Sequence, residues 1–163
     1  MEMENQKLMH GAKQHSKHYK KLLIMAVLSF ISMYLLMYAM VNSFSNVFVN
    51  VNQFYMAGLM SASMIIIEVA LMSTMYMNKK LNALIIAISS VALIAFFAFI
   101  RQQSGVSDKQ FLKSMIPHHG AAILMCKKAS IQDPEIEELC RNVIKNQQAE
   151  IVQMKAKLKE LEK

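Results

Sequence analysis

The hydrophobic positions form three long, nearly uncharged runs, followed by a stretch where apolar residues recur every three or four positions. Leu22 to Val41 is an uncharged run of about 20 residues, the length a helix needs to cross a bilayer. Met56 to Met77 is a second run with one acid, Glu68, and Ala83 to Ile100 is a third. The connections are short: Asn42 to Tyr55 holds no Lys or Arg, and Asn78 to Asn82 holds Lys79 and Lys80. The pattern predicts transmembrane helices at 22–41, 56–77 and 83–100. A signal peptide is the rival reading of the first run. Its apolar region would be shorter, and no A-x-A cleavage site follows, so the run reads as a retained span.

Beyond Arg101 the period becomes helical and amphipathic. Residues 101–106 read as a linker. Ser107-Asp108-Lys109-Gln110 matches a capping box, which predicts a helix from about Asp108 to about Ser130. Pro117 predicts either a kink just before His118 or a helix that begins at Pro117 itself. Asp133 and Pro134 mark the next start, as N-cap and first helical residue. From there Ile136, Leu139, Cys140, Val143, Ile144, Gln147, Ile151, Met154, Leu158 and Leu161 line one long amphipathic helix. A short turn between two such helices predicts an antiparallel αα-hairpin. With the turn near Gln132, facing residues have numbers summing to roughly 265. Met115 then faces Glu150, His118 faces Gln147 or Gln148, and Cys126 faces Leu139 or Cys140. The predicted fold is all-α: a polar arm at 1–21, a three-span membrane domain at 22–100 and a helical-hairpin domain at 101–163.

Charge orients this arrangement. The chain carries a formal +7, with Lys13, Lys17, Lys20 and Lys21 before the first span and Lys79 and Lys80 in the second connection. Positive-inside counting puts the N-terminus in the cytoplasm and the hairpin domain outside, in the periplasm of a bacterium with an inner membrane. The basic residues adjoin spans and no nucleic-acid motif accompanies them, so nucleic acid is not an expected partner. His10, His15 and His18 in the arm read either as a second metal or pH-sensing site or as part of a solvated basic arm; the second is favoured.

Composition adds soft chemistry: sixteen Met, two Cys and no Trp. Met56, Met60, Met64, Glu68 and Met72 are four apart and stack on one helical face. That stripe is either a path or weak site for a soft cation or flexible apolar filling. Glu68 itself marks a functional or packing position, because an ionisable residue is costly inside a span. For Cys126 and Cys140 three readings stay open: a disulfide, two buried thiols, or soft ligands.

The densest chemistry is Met115-Ile116-Pro117-His118-His119, with Met125 and Cys126 close behind. Thioether and imidazole suit Cu(I), Cu(II) or, less well, Zn. His118 and His119 point about 100° apart, and Met125 and Cys126 lie two turns beyond them, about 10 Å away. One straight helix therefore cannot bring all four to one ion. The expected ligands are Met115, His118 and His119, with Glu150 and Met154 from the facing helix. Met125, Cys126, Cys140, Gln147 and Glu68 are weaker candidates. The plain alternative is a core in which the two His make ordinary hydrogen bonds and the Met fill space.

At Phe111, Met115 to His119, Ala122-Ile123, Met125, Asp133-Pro134-Glu135, Leu139, Ile144, Gln147, Glu150-Ile151 and Met154, the chain resembles the bacterial "domain of unknown function 305" family. The resemblance covers roughly residues 107 to 161 and implies a ferritin-like helical fold associated with copper binding and copper tolerance. Family members commonly carry a polar residue after His-His and an acid before the second Met, where this chain has Gly120 and Leu124. Many also hold two copies of the hairpin, so a four-helix bundle here needs a second chain.

The expected function is sequestration or delivery of a metal ion, copper first, by a membrane-anchored homodimer or higher oligomer without chemical turnover. Membrane lipid and a metal transporter or chaperone are the expected partners. The rival is a metal-independent assembly module acting through its C-terminal helix. A di-iron-type oxidase is disfavoured, because the hairpin has no E-x-x-H motif.

Overall fold

The computed structural model describes residues 2–163, with side chains from Lys17 onward, so the side chains of His10 and His15 lie outside the described residues. Among the described residues the chain is all-α, with no strand. Its five α-helices are α1 (Glu2–Leu36), α2 (Val51–Leu71), α3 (Lys79–Gln102), α4 (Asp108–Lys128) and α5 (Pro134–Leu161). Two short 3-10 turns, Met37–Met40 and Phe44–Asn46, lie between α1 and α2. Three segments are long and apolar enough to cross a membrane: Lys17–Met40, Val51–Leu71 and Lys79–Gln102.

The boundaries differ from the expected ones for local reasons. α1 runs from Glu2 through the stretch read as the arm and on to Leu36. α2 begins at Val51, not Met56, and ends at Leu71, so Met72 falls in the turn that follows. The basic residues Lys79 and Lys80 open α3 instead of forming a loop, because the Asn78 side chain accepts the Leu81 N–H at 3.0 Å and caps the helix. α4 passes through Pro117 as one continuous element, so no helix starts there. Burial of Pro117 helps offset the missing backbone donor. The capping box does not form: the Ser107 side chain makes no cap bond, and Gln110 Oε1 instead accepts the Val51 N–H at 3.0 Å. The Asp133 cap does form, taking the N–H groups of Glu135 and Ile136 at 2.9 and 3.1 Å.

Contacts divide the chain into two compact units. The first holds residues up to Tyr34 and Tyr55–Gln102. Leu22, Val69 and Tyr76 form its buried cluster, flanked by Tyr19, Met25, Ile65, Ile85 and Ile86. The Tyr19 hydroxyl donates to Asn82 Oδ1 at 2.7 Å, and the Asn82 amide donates to the Tyr76 carbonyl. α2 and α3 meet so closely at Gly58 that a Cβ there would lie 2.5 Å from the Phe96 ring. Large apolar side chains on α1 and α3, such as Leu28, Ile88 and Ile94, are exposed.

The second unit holds Leu35–Phe54 together with Gln103–Lys163. Its core is Ile116 and Ile123 of α4 against Ile151 and Leu158 of α5, with Phe48, Leu112 and Met154 packed around them. The segment before α2 therefore belongs to the same unit as α4 and α5, which the expected domain at 101–163 leaves out. Tyr38 donates to the Phe48 carbonyl at 2.7 Å, and Asn46 donates to Asn42 Oδ1 at 2.8 Å. Asn42 sits on Gly120, where an added Cβ would lie 2.7 Å from its Oδ1. Gly120 lets this segment approach α4.

Candidate metal centre

Besides the apolar core, a disulfide and two ion pairs link α4 to α5 and to Glu162 just beyond it. Cys126 and Cys140 are joined by a disulfide with Cα atoms 5.2 Å apart. His119 Nε2 lies 2.6 Å from Glu150 Oε2, and Lys113 Nζ lies 3.4 Å from Glu162 Oε1. Partner numbers rise on α5 as they fall on α4. The Cys126–Cys140 link falls within one residue of the register read from the sequence, whereas Glu162 lies ten residues beyond the position that register sets against Lys113.

His119 is the centre of the polar geometry. It is buried on α4, with 8% of its surface exposed, while Glu150 is an exposed α5 residue. His119 Nδ1 lies 2.9 Å from the Met115 carbonyl oxygen one turn back. A carbonyl only accepts, so Nδ1 carries a proton and donates it. The other nitrogen, Nε2, is aimed at the carboxylate. One ring nitrogen is thus tied to a carbonyl and the other faces a carboxylate, an arrangement that fixes the orientation of the ring and presents Nε2 to the pocket.

A pocket of about 420 Å³ opens at this pair, lined by Phe111, Leu112, Met115, His119, Glu150, Gln153, Met154 and Lys157. Four of the five principal ligands expected from the sequence therefore share one pocket: Met115, His119, Glu150 and Met154. His118 does not join them. It is exposed, and its ring centroid is 6.3 Å from that of His119 at a steep angle, as neighbouring helical positions require. Among the weaker candidates, Met125 is exposed on α4. Cys126 and Cys140 are consumed by their disulfide and present no thiolate. Gln147 does not line the pocket, and its buried Oε1 has no hydrogen-bond partner. Glu68 belongs to the first unit, where the Tyr76 hydroxyl donates to it at 3.5 Å. Burial and the facing Glu68 carboxylate raise the Tyr76 phenol above its usual range.

Sequence reasoning missed Lys157 and Gln153 at the pocket's rim. The helical spacing Glu150, Gln153, Lys157 was the available signal. The Lys157 ammonium is held above its usual pKa by its 2.8 Å bond to Glu160, so it remains a cation beside the pocket. It lies in open solvent, where salt screens its repulsion of another cation.

The donor set decides which ions fit. Among the described residues no three His, Cys, Asp or Glu side chains converge. A site needing four such donors, as structural zinc does, is not built here. One imidazole, one carboxylate and two thioethers line the pocket, a mixture of borderline, hard and soft donor types.

The chain matches the family described as "Domain of unknown function (DUF305)" over residues 61–158, which begins within α2 and includes all of α3 as well as α4 and most of α5. It is 37% identical over 142 residues to "Uncharacterized protein L153" of Acanthamoeba polyphaga mimivirus, covering 85% of this chain and 91% of that protein. No solved structure matches. With M-I-P-H-H on α4 and the match running through α5, the chain belongs to the DUF305 family.

Proposed function

We propose that this protein is a membrane-anchored binder of a soft metal ion, copper first, which it sequesters or hands on without chemical turnover. The observation that carries the reading is His119 Nε2 aimed at Glu150 in a pocket shared with the thioethers of Met115 and Met154. His119 and Glu150 hold the ion in this reading, and Met115 and Met154 favour its reduced form. An ion between nitrogen and oxygen needs bonds of about 2.0–2.2 Å on each side. The present 2.6 Å contact must therefore open, and the exposed Glu150 side chain is free to swing.

In the same reading α4 and α5 are an antiparallel hairpin, half of a ferritin-like bundle that a second copy completes. The segment before α2 packs on Gly120, which supports an assignment of that segment and the α4–α5 unit to one side of the membrane. The Cys126–Cys140 disulfide favours an oxidising compartment. With the basic residues inside, that compartment is the periplasm of a bacterium with an inner membrane. A metal transporter or chaperone is the partner for hand-off.

A second reading, a metal-independent assembly module, draws on the exposed Ile136, Leu139 and Val152 of α5. X-ray absorption on the Cu(I)-loaded full chain separates the two, with ascorbate as reductant so that the disulfide stays intact. One N/O scatterer shell together with sulfur at about 2.3 Å supports the metal centre. A spectrum of weakly held copper with neither imidazole nor sulfur favours the assembly module.

A further inference from the structure

The second sulfur cluster lies at the other end of the α4–α5 pair. Cys126 is in the last turns of α4 and Cys140 in the second turn of α5, 14 residues apart in sequence. Both are half-buried rather than enclosed. An open pocket of about 220 Å³ lies against the bond, lined by both cysteines with Ile131, Glu137, Arg141 and Ile144. Lys127 and Lys128 follow Cys126, and Arg141 follows Cys140. On the pocket wall Arg141 pairs with Glu137 at 3.6 Å, so the lining presents no net negative charge to an approaching thiolate.

The two helices are also joined by contacts other than this bond. Ile116, Ile123, Ile151 and Leu158 pack independently of it, and so does the His119–Glu150 contact. When the bond is cut, the two sulfurs therefore stay on facing helices. Metal–sulfur bonds of about 2.3 Å place two ligating sulfurs at most about 4.6 Å apart. Rotation about the two χ1 angles supplies that separation from backbones 5.2 Å apart.

We propose that Cys126 and Cys140 form a redox-switched site for a soft monovalent cation: closed as the disulfide, open for one Cu(I) as the dithiolate. A dithiol reductant drives the opening. Its thiolate attacks one of the two sulfurs, the Cys126–Cys140 bond breaks, and the displaced sulfur leaves as a thiolate that takes a proton. The reductant's second thiol then attacks the mixed disulfide and releases the other cysteine. Two electrons pass to the protein, and the reductant becomes a disulfide. Cu(I) next displaces the two thiol protons and forms two metal–sulfur bonds. No third His, Cys, Asp or Glu converges there among the described residues, so the site suits an ion content with two soft ligands better than tetrahedral zinc.

The test uses the full chain in detergent. One sample is left oxidised; the other is reduced with excess dithiothreitol and desalted anaerobically. Each is titrated with Cu(I) against a chromogenic chelator. The expected result is one more Cu(I) bound per chain in the reduced sample. That extra ion disappears in Cys126→Ser/Cys140→Ser and in reduced wild-type protein alkylated with iodoacetamide. It persists in His119→Ala, whose oxidised form has lost the other site, so this site and the His119 centre succeed or fail separately. Equal stoichiometry in the two redox forms overturns the proposal, as does an extra ion that survives alkylation or one that disappears with His119.

Discussion

At the scale of single residues, the proposed metal centre rests on the 2.6 Å contact between His119 and Glu150. Nδ1 is committed to the Met115 carbonyl, so an ion that reaches the ring enters at Nε2 and takes the place of any proton there. The account predicts release of about one proton per Cu(I) bound by the oxidised full chain, and weaker binding as pH falls. Calorimetry in buffers of differing ionisation enthalpy measures it; a slope of zero would show that the ion does not enter between these two groups. Met115, His119, Glu150 and Met154 were legible in the sequence because helical spacing and the hairpin register fix their level. The split between the two histidines was not legible. Both lie one turn beyond Met115, and which of them turns inward depends on how α4 rotates about its axis against α5. The core of Ile116 and Ile123 sets that rotation, burying His119 and exposing His118.

At the scale of elements, caps and close approaches explain where the sequence reading held and where it shifted. Asp133-Pro134 is a local signal and formed as read. Ser107 to Gln110 is an equally local signal: α4 starts at Asp108 with Ser107 as its N-cap residue, as read, but the side-chain bonds of the box do not form, and the Gln110 side chain accepts the Val51 N–H. A partner 59 residues away is invisible to a local pattern. Gly120 is another such case. Its lack of a side chain admits Asn42, whose Oδ1 also accepts from Asn46. Ala at a helix interior gains about 1 kcal/mol over Gly. Displacing Asn42 costs about 1 kcal/mol through the Asn46 bond. The two cancel in the parent chain, so Gly120→Ala alone is expected to change stability little. In an Asn42→Ala background the one tight neighbour left is Val41 Cγ1 at 3.3 Å, and the same substitution should stabilise by up to about 1 kcal/mol in denaturant unfolding of the detergent-solubilised chain. Equal effects in the two backgrounds would show that Asn42 does not rest on Gly120.

At the scale of the whole molecule, the three apolar runs announced three helices long and apolar enough to cross a membrane, and the all-α class followed from the change of period beyond Arg101. What a linear reading could not supply is the grouping of Leu35–Phe54 with Gln103–Lys163, which brings an interhelical connection into the C-terminal unit. The proposed topology follows: single cysteines introduced in a Cys126→Ser/Cys140→Ser chain at Ser45 and Ser130 should react with a membrane-impermeant maleimide from the same side. One introduced at Asn78 should react only from the other. Opposite accessibility of Ser45 and Ser130 would contradict the orientation.

The central claim is that the His119–Glu150 pocket binds a soft cation, and the most direct measurement is competitive Cu(I) titration of the oxidised full chain beside His119→Ala and His118→Ala. The account predicts one tight site per chain that weakens by about 100-fold or more in His119→Ala, beyond the usual loss from an outer-sphere partner. His118→Ala should bind nearly as the parent does. Equal affinity in parent and His119→Ala, or a loss confined to His118→Ala, would contradict it.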